Sequence, residues 1–175
     1  PVPEGKPAPV EPQNAQIRDT AYTCTVSISC AAVLDHMELC SKEKVELVPE
    51  DGWILPPETV TFYAGESAFD VLLRLCREKK IHMEYMDTPM YNSAYIEGIG
   101  NLYEFDVGPL SGWMYAVNDW FPNYGCSRYG LQDGDRILEV DGEKIYVESD
   151  FSLILSLNPG EFHDLVVERS GKKVA

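Results

Sequence analysis

The stretch Val60-Thr61-Phe62-Tyr63-Ala64-Gly65-Glu66-Ser67 carries β-forming residues and ends on a residue that can cap a helix. Asp70 follows Ser67 by three positions, which is close to the spacing of a capping box. Beyond the cap, apolar residues recur at helical spacing: Phe69, Leu72, Leu73 and Cys76. The stretch therefore predicts a strand that leads into one amphipathic helix.

A second strand is predicted before this helix, over residues 20–30. Polar and apolar residues alternate there with a period of two, and the apolar face carries Tyr22, Cys24, Val26, Ile28 and Cys30. Residues 31–44 fit either a short helix or an irregular turn, with Leu34, Met37 and Leu39 available for burial.

An aromatic and glycine-rich region, from Tyr91 to Tyr129, follows the helix. Short strands are predicted at Tyr95-Ile96 and Tyr103–Phe105, and Trp113–Val117 alternates as a strand should. Asn118-Asp119 then predicts a turn, and an aromatic loop follows it. One helix among several short strands indicates the α+β class.

These pieces, in this order, resemble the transcobalamin-like C-terminal domain family of bacterial surface proteins. Besides the opening stretch, the matching pieces are Tyr95-Ile96-Glu97-Gly98-Ile99, Ser111-Gly112-Trp113-Met114-Tyr115-Ala116-Val117-Asn118 and Leu131-Gln132-Asp133-Gly134-Asp135. The resemblance implies a β-grasp fold, a sheet crossed by one helix, and an extracytoplasmic setting. Since a related domain covers one side of the vitamin in the animal cobalamin carriers, it also implies cobalamin as a candidate ligand.

The tail of the chain resembles a different family. The run from Gly130 to Ile145 is similar to PDZ domains, above all to those of bacterial membrane-embedded zinc metalloproteases of the site-two type. Ser149-Asp150-Phe151, Asn158-Pro159-Gly160 and residues 165–171 continue the similarity. The resemblance implies a partial PDZ-like strand-helix-strand unit, with its helix over residues 150–157, that would take a peptide by strand addition.

Three segments follow from these observations: a proline-rich linker over 1–19, a transcobalamin-like β-grasp domain over 20–135, and a partial PDZ-like segment over 130–175. The linker is expected to be an extended tether or a disordered terminus. Because the two resemblances share one turn, the chain looks like a hybrid, and its join is compatible with recombination, engineering or an assembly artefact. Ile137–Val140 is a candidate for the missing edge strand of the β-grasp sheet.

Charge and hydropathy exclude some classes of function. The formal net charge is −15 over 175 residues, and such a surface repels phosphate backbones, so we expect no nucleic-acid partner. No apolar run reaches the roughly 18–20 residues of a membrane span. The chain opens on Pro1 instead of Met, which we interpret as an excised fragment or a mature product of a membrane- or wall-anchored parent.

The sequence contains no recognisable catalytic or metal-binding motif. The five cysteines form no Cys-x-x-Cys pair, and the three histidines share no motif, so we expect neither a metal site nor an enzyme. Cys126 lies close to Arg128, and a nearby cation can lower a thiol pKa, but burial or a disulfide is the favoured role. The other cysteines could be paired or simply buried.

The aromatic residues are the candidate ligand-binding site, because aromatic rings with polar groups are enriched in binding surfaces. The candidates are Trp113, Tyr115, Trp120, Phe121, Tyr124, Tyr91, Asn92 and Tyr95. For Trp113 and Tyr115, on a strand, core packing is favoured over binding, whereas the loop residues fit both. The sequence thus predicts an extracellular or cell-surface, non-catalytic module that binds a small molecule or a protein. A PDZ-type peptide-binding segment of a membrane metalloprotease is the alternative.

Overall fold

The computed structural model describes residues 2–141, 167–169 and 172–174. These residues belong to two compact units, Pro1–Glu143 and Lys144–Ala175. The first unit contains, in chain order, β1 (Ala21–Ser29), α1 (Ala31–Leu34), β2 (Trp53–Tyr63), α2 (Ala68–Lys79), β3 (Met83–Thr88), β4 (Ser93–Ile99), β5 (Leu102–Tyr103), β6 (Trp113–Val117) and β7 (Arg136–Asp141). The second contains the antiparallel pair β8 (Val167–Arg169) and β9 (Lys172–Val174).

The main sheet of the first unit has four strands in the order β2-β1-β7-β6. Strand β7 runs parallel to β1 and antiparallel to β6, so Ile137 is paired with Val26 on one side and Val117 on the other. The expectation that Ile137–Val140 joins this sheet is confirmed, but its position is not at the edge, because β7 lies between β1 and β6. Ile137 is fully buried at this interior position, as expected for an apolar residue in a strand with neighbours on both sides.

Helix α2 begins and packs as its sequence predicts. The Ser67 hydroxyl accepts a hydrogen bond from the Asp70 amide at 3.2 Å, and the Asp70 carboxylate accepts one from the Ser67 amide at 2.8 Å. The apolar face of the helix is buried in the core together with side chains of the main sheet: Phe69, Val71, Leu72, Leu75 and Cys76 from the helix, and Val26, Ile28, Phe62 and Ile137 from the strands. The predicted α+β class is confirmed.

A smaller antiparallel sheet, β3-β4-β5, lies beside the main one. Its first strand was not predicted, because residues 83–88 carry only weak alternation. A second, smaller core cluster contains Cys30, Val33, Cys40, Leu102 and Val107. Leu34 and Leu39, which the sequence offered for burial, are exposed instead, and Val33 takes the buried position.

The proline-rich segment at the start of the chain is extended but is in contact with the domain. The Val10 amide donates to the Arg128 carbonyl at 2.8 Å, and the Tyr124 hydroxyl donates to the Pro7 carbonyl at 2.7 Å. The assignment of residues 1–19 as a linker stays a prediction, and the contacts of the segment with the domain were not part of it. Proline composition predicts the extended backbone but carries no information about docking.

The PDZ-like segment falls largely outside the described residues, including the predicted helix over 150–157. Within it, the structure describes the antiparallel pair β8 and β9, and residues 170–171 between them lie outside the described residues. The division into three segments stays a prediction. Among the described residues, no helix combines the length and the apolar character that a membrane crossing requires.

Candidate ligand-binding face

The aromatic loop is positioned by a tight turn at the end of β6. Asn118 and Asp119 both have positive φ, 51° and 62°, which these residue types tolerate better than most. Val117 and Trp120 exchange backbone hydrogen bonds across the turn, at 2.8 and 3.0 Å. The turn therefore reverses the chain directly after the strand and presents Trp120 beside it.

Trp120 belongs to a cluster of three aromatic rings. Its ring centroid lies 6.1 Å from that of Tyr124 and 6.4 Å from that of Tyr129, and the two tyrosine rings are stacked at 6.3 Å. Tyr129 is buried, and burial, with a contribution from Asp135, raises the pKa of its phenol. Sequence reasoning missed Tyr129, because it lies in an irregular segment where no periodicity indicates which side chains are inside.

Trp113 and Tyr115 have structural roles. The Trp113 indole donates to the Leu102 carbonyl at 2.8 Å, and its half-buried ring packs against both core clusters. Tyr115 is buried, and its hydroxyl donates to the Tyr124 carbonyl at 2.7 Å. Core packing was the favoured interpretation for these two residues, and their positions agree with it. Their assignment as ligand contacts stays a prediction.

The hairpin between β3 and β4 lies opposite the loop and contributes the remaining predicted residues. A cavity of about 390 Å³ lies between them, and its lining includes Tyr91, Tyr95, Pro122, Asn123, Tyr124 and Arg128. Tyr91 is 67% exposed and Tyr95 43%. The structure thus brings Tyr91, Tyr95 and Tyr124 together. Trp120 and Phe121, both half-buried, and the exposed Asn92 lie outside this lining.

Arg128 is the cationic group of this face, and sequence reasoning did not select it as a site residue. Its guanidinium forms an ion pair with Glu11 and donates to the Tyr91 carbonyl at 3.4 Å. Its Nε is buried without a hydrogen-bond partner among the described residues. Because the arginine makes its contacts through residues distant in sequence, only the folded chain reveals it.

The phenols of Tyr95 and Tyr124 stay protonated near neutral pH. Burial raises the pKa of Tyr124, although Arg128 acts in the opposite direction. Burial, followed by the hydrogen bond to Glu104, raises the pKa of Tyr95 to about 12. In the described part of the chain, no group of three His, Cys, Asp or Glu side chains could hold a metal ion. The face therefore offers aromatic surface, neutral hydroxyl groups and one guanidinium, which suit binding.

Comparison with known proteins identifies relatives for parts of the chain. Residues 65–138 match the family model described as a domain of unknown function, DUF4430. The regulator of sigma-E protease RseP from Escherichia coli (strain K12) is 39% identical over 54 residues, which cover 31% of this chain and 12% of RseP.

Two solved structures are also similar. Haptocorrin in complex with Cbi aligns with a TM-score of 0.54 at 11% identity, over 73% of this chain and 26% of that chain. A candidate metal-binding protein from Ruminococcus gnavus aligns over 71% of this chain and 99% of that chain at 13% identity, with a TM-score of 0.41 that is too low to indicate a shared fold. The chain thus spans only a small part of RseP and of haptocorrin, and the chain's similarity to haptocorrin is one of fold.

Proposed function

We propose that the first unit is a non-catalytic ligand-binding module of an extracytoplasmic, surface-exposed protein. The observation that carries this proposal is the open cavity between the β3–β4 hairpin and the aromatic loop, with Tyr91, Tyr95 and Tyr124 in its lining. Rings that line a concave surface and keep polar groups available are typical of small-molecule sites. The surface setting and an anchored parent protein rest on the transcobalamin-like resemblance.

A corrinoid is the ligand class we propose for this face. The support is the resemblance of residues 20–135 to the transcobalamin-like domains, together with the fold similarity to haptocorrin, a protein solved with Cbi bound. A corrinoid is a flat macrocycle with amide side chains, so it needs apolar surface for the ring and hydrogen-bonding groups at its rim. The aromatic rings of the face and its neutral phenols provide both kinds of group.

A titration of the full chain with cobalamin tests this proposal. Calorimetry is the readout, because cobalamin absorbs the light used for tryptophan fluorescence. We expect saturable binding that Tyr91→Ala weakens about tenfold, because Tyr91 lines the cavity and the loss of one aromatic hot spot has an effect of this size. Tyr63→Ala, on β2 and 44% exposed, is the matched control and should leave the affinity unchanged. Absence of saturable binding at high micromolar cobalamin would overturn the assignment of a corrinoid ligand and favour a protein partner of the adhesion type.

A PDZ-type peptide-binding segment is the second candidate, and the match to RseP favours it. The expected mode is strand addition beside the helix predicted over 150–157. Immobilised peptides with an apolar C-terminal residue and a free carboxylate are the probe, and Phe151→Ala in the predicted helix is the variant. Peptide binding that Phe151→Ala abolishes and Tyr91→Ala leaves intact would support this candidate, whereas no binding to any such peptide would count against it.

A further inference from the structure

Main-chain hydrogen bonds hold residues 6–16 along the aromatic face. The Pro7 carbonyl accepts from the Tyr124 hydroxyl at 2.7 Å, and the Val10 amide donates to the Arg128 carbonyl at 2.8 Å. Both bonds involve the backbone of the segment, so they recognise an extended chain and not a particular side chain. Proline at neighbouring positions suits this mode, because it supplies no amide that would need a partner.

Two separate elements of the domain hold the carboxylate of Glu11. Arg128, at the end of the turn Cys126–Arg128, forms an ion pair with one carboxylate oxygen, and the Asn92 side-chain amide donates to the other. Asn92 also donates to the Gln13 side chain at 2.9 Å. A guanidinium and an amide that converge on one carboxylate form a subsite for an acidic residue.

Lys6 provides a further contact at one end of the segment. Its ammonium group lies 5.4 Å from the centroid of the Trp120 ring, within the range of a cation–π interaction. The loop ring that the sequence predicts to bind a ligand therefore already has a partner from the chain itself.

Gly65 permits the close approach of the other end of the segment. It has φ of +95°, and a Cβ built there would lie 2.1 Å from the Gln16 carbonyl oxygen. Two residues later, the Arg18 amide donates to the Ala64 carbonyl at 2.8 Å. The turn between β2 and α2 thus leaves room for a second backbone, which any side chain at position 65 would block.

The segment is attached by polar contacts rather than by apolar burial. Val10 is 41% exposed and Ile17 64%, and none of residues 2–20 is buried. Cavities of about 390 and 630 Å³ adjoin the segment, the first beside Gly65 and Arg128 and the second beside Asn92 and Asp70. A chain segment with few buried apolar contacts opens more readily than the core of its domain, so this one is displaceable.

We propose that this face is a binding groove for an extended, proline-containing peptide with an acidic residue, and that residues 6–16 occupy it in cis. The backbone of the segment on either side of its short turn has φ, ψ of −69°, 126° at Glu11 and −66°, 129° at Ala15, close to polyproline II. Aromatic-lined grooves are a known receptor type for that conformation. The inference goes beyond the proposed function, because its ligand is a peptide and its tests involve no corrinoid.

Amide hydrogen exchange on the full chain tests the occupant. Glu11→Gln removes the charge that Arg128 holds, so we expect exchange at the Val10 amide to accelerate several-fold while exchange in β1 stays unchanged. Glu4→Gln, at an exposed residue, changes the net charge equally and is the matched control, with no expected effect. The exchange rate at Val10 should not depend on protein concentration. A dependence would assign the occupant to a second copy of the chain and overturn the cis assignment.

A labelled peptide of residues 4–17 tests the groove itself. We expect saturable binding to the full chain that carries Glu11→Gln, and at least several-fold weaker binding to the unsubstituted chain, whose own segment competes. An unlabelled peptide with Glu11→Gln should compete poorly, and Arg128→Gln in the receptor should weaken binding. Unchanged Val10 exchange in the Glu11→Gln chain, or no peptide binding to that chain at millimolar concentration, would overturn the proposal.

Discussion

The hydroxyl of Tyr115, on β6, donates a 2.7 Å hydrogen bond to the backbone carbonyl of Tyr124, in the aromatic loop. Tyr115 is buried, and its ring also meets that of Tyr129 edge-on at 6.3 Å. Through these two contacts, Tyr115 on β6 fixes the position of the aromatic loop. This relationship connects the core of the domain to the face that we propose as the binding site.

Replacement of Tyr115 by phenylalanine should weaken the attachment of the aromatic loop to β6 while the aromatic ring still fills its place in the core. The change removes one buried hydrogen bond and leaves the Tyr124 carbonyl without this donor, so we expect the free energy of unfolding to fall by about 1–2 kcal/mol. Urea denaturation measures it. Tyr22→Phe, on an exposed position of β1, is the matched control and should change stability by less than about 0.5 kcal/mol. Equal effects of the two substitutions would contradict the role of this hydrogen bond.

Truncation of Ile137 tests the interior position of β7. Its side chain is fully buried in the sheet, so Ile137→Ala should lower the free energy of unfolding by about 2–5 kcal/mol. Ile17→Ala removes the same atoms at a 64% exposed position and should cost far less. If chemical denaturation gave both variants the same small loss, β7 would not belong to the core of the sheet.

The cap of helix α2 is testable at Ser67. Ser67→Ala removes the acceptor for the Asp70 amide, and the loss of an N-cap typically costs about 1 kcal/mol. Ser67→Asn, which keeps a side-chain acceptor, should restore most of the stability. Thermal unfolding of the two variants compares them, and equal losses would show that the cap contributes little.

Alkaline pH should destabilise the domain through Cys24. Burial, with a contribution from the carboxylate of Asp135, raises the pKa of the Cys24 thiol from 9.0 to about 11. The folded state therefore favours the protonated thiol, and its contribution to stability is complete below pH 9 and is lost as the pH rises toward 11. The loss amounts to about 2 kcal/mol.

Urea denaturation between pH 8 and pH 11 measures this effect. Stability should decline less steeply with pH in Cys24→Ala than in the unsubstituted chain, because the alanine cannot ionise. Tyrosines ionise in both chains, so only the difference between the two slopes carries the information. Parallel slopes would mean that the Cys24 thiol ionises equally easily in the folded and unfolded states.

Local pattern was sufficient for the regular elements. Strand β1, helix α2 with its Ser67 cap, and strand β6 follow from alternation, helical spacing and capping, which act between residues a few positions apart. The α+β class follows from the same information. Strand β3 was not predicted because its alternation is weak. The burial of Tyr129 was not predicted because it lies in an irregular segment without a periodic pattern.

The amino-acid sequence by itself determined strands β1 and β6, helix α2 with its cap, and where aromatic residues accumulate. Only the tertiary structure decided that β7 lies inside the sheet, that Tyr91, Tyr95 and Tyr124 line one cavity, and that Arg128 holds Glu11. The physical reason is distance along the chain, since Tyr124 and Arg128 lie 117 positions from the residues of the segment that they bind. Such contacts form only after the core has brought the two regions together, and no local propensity encodes them.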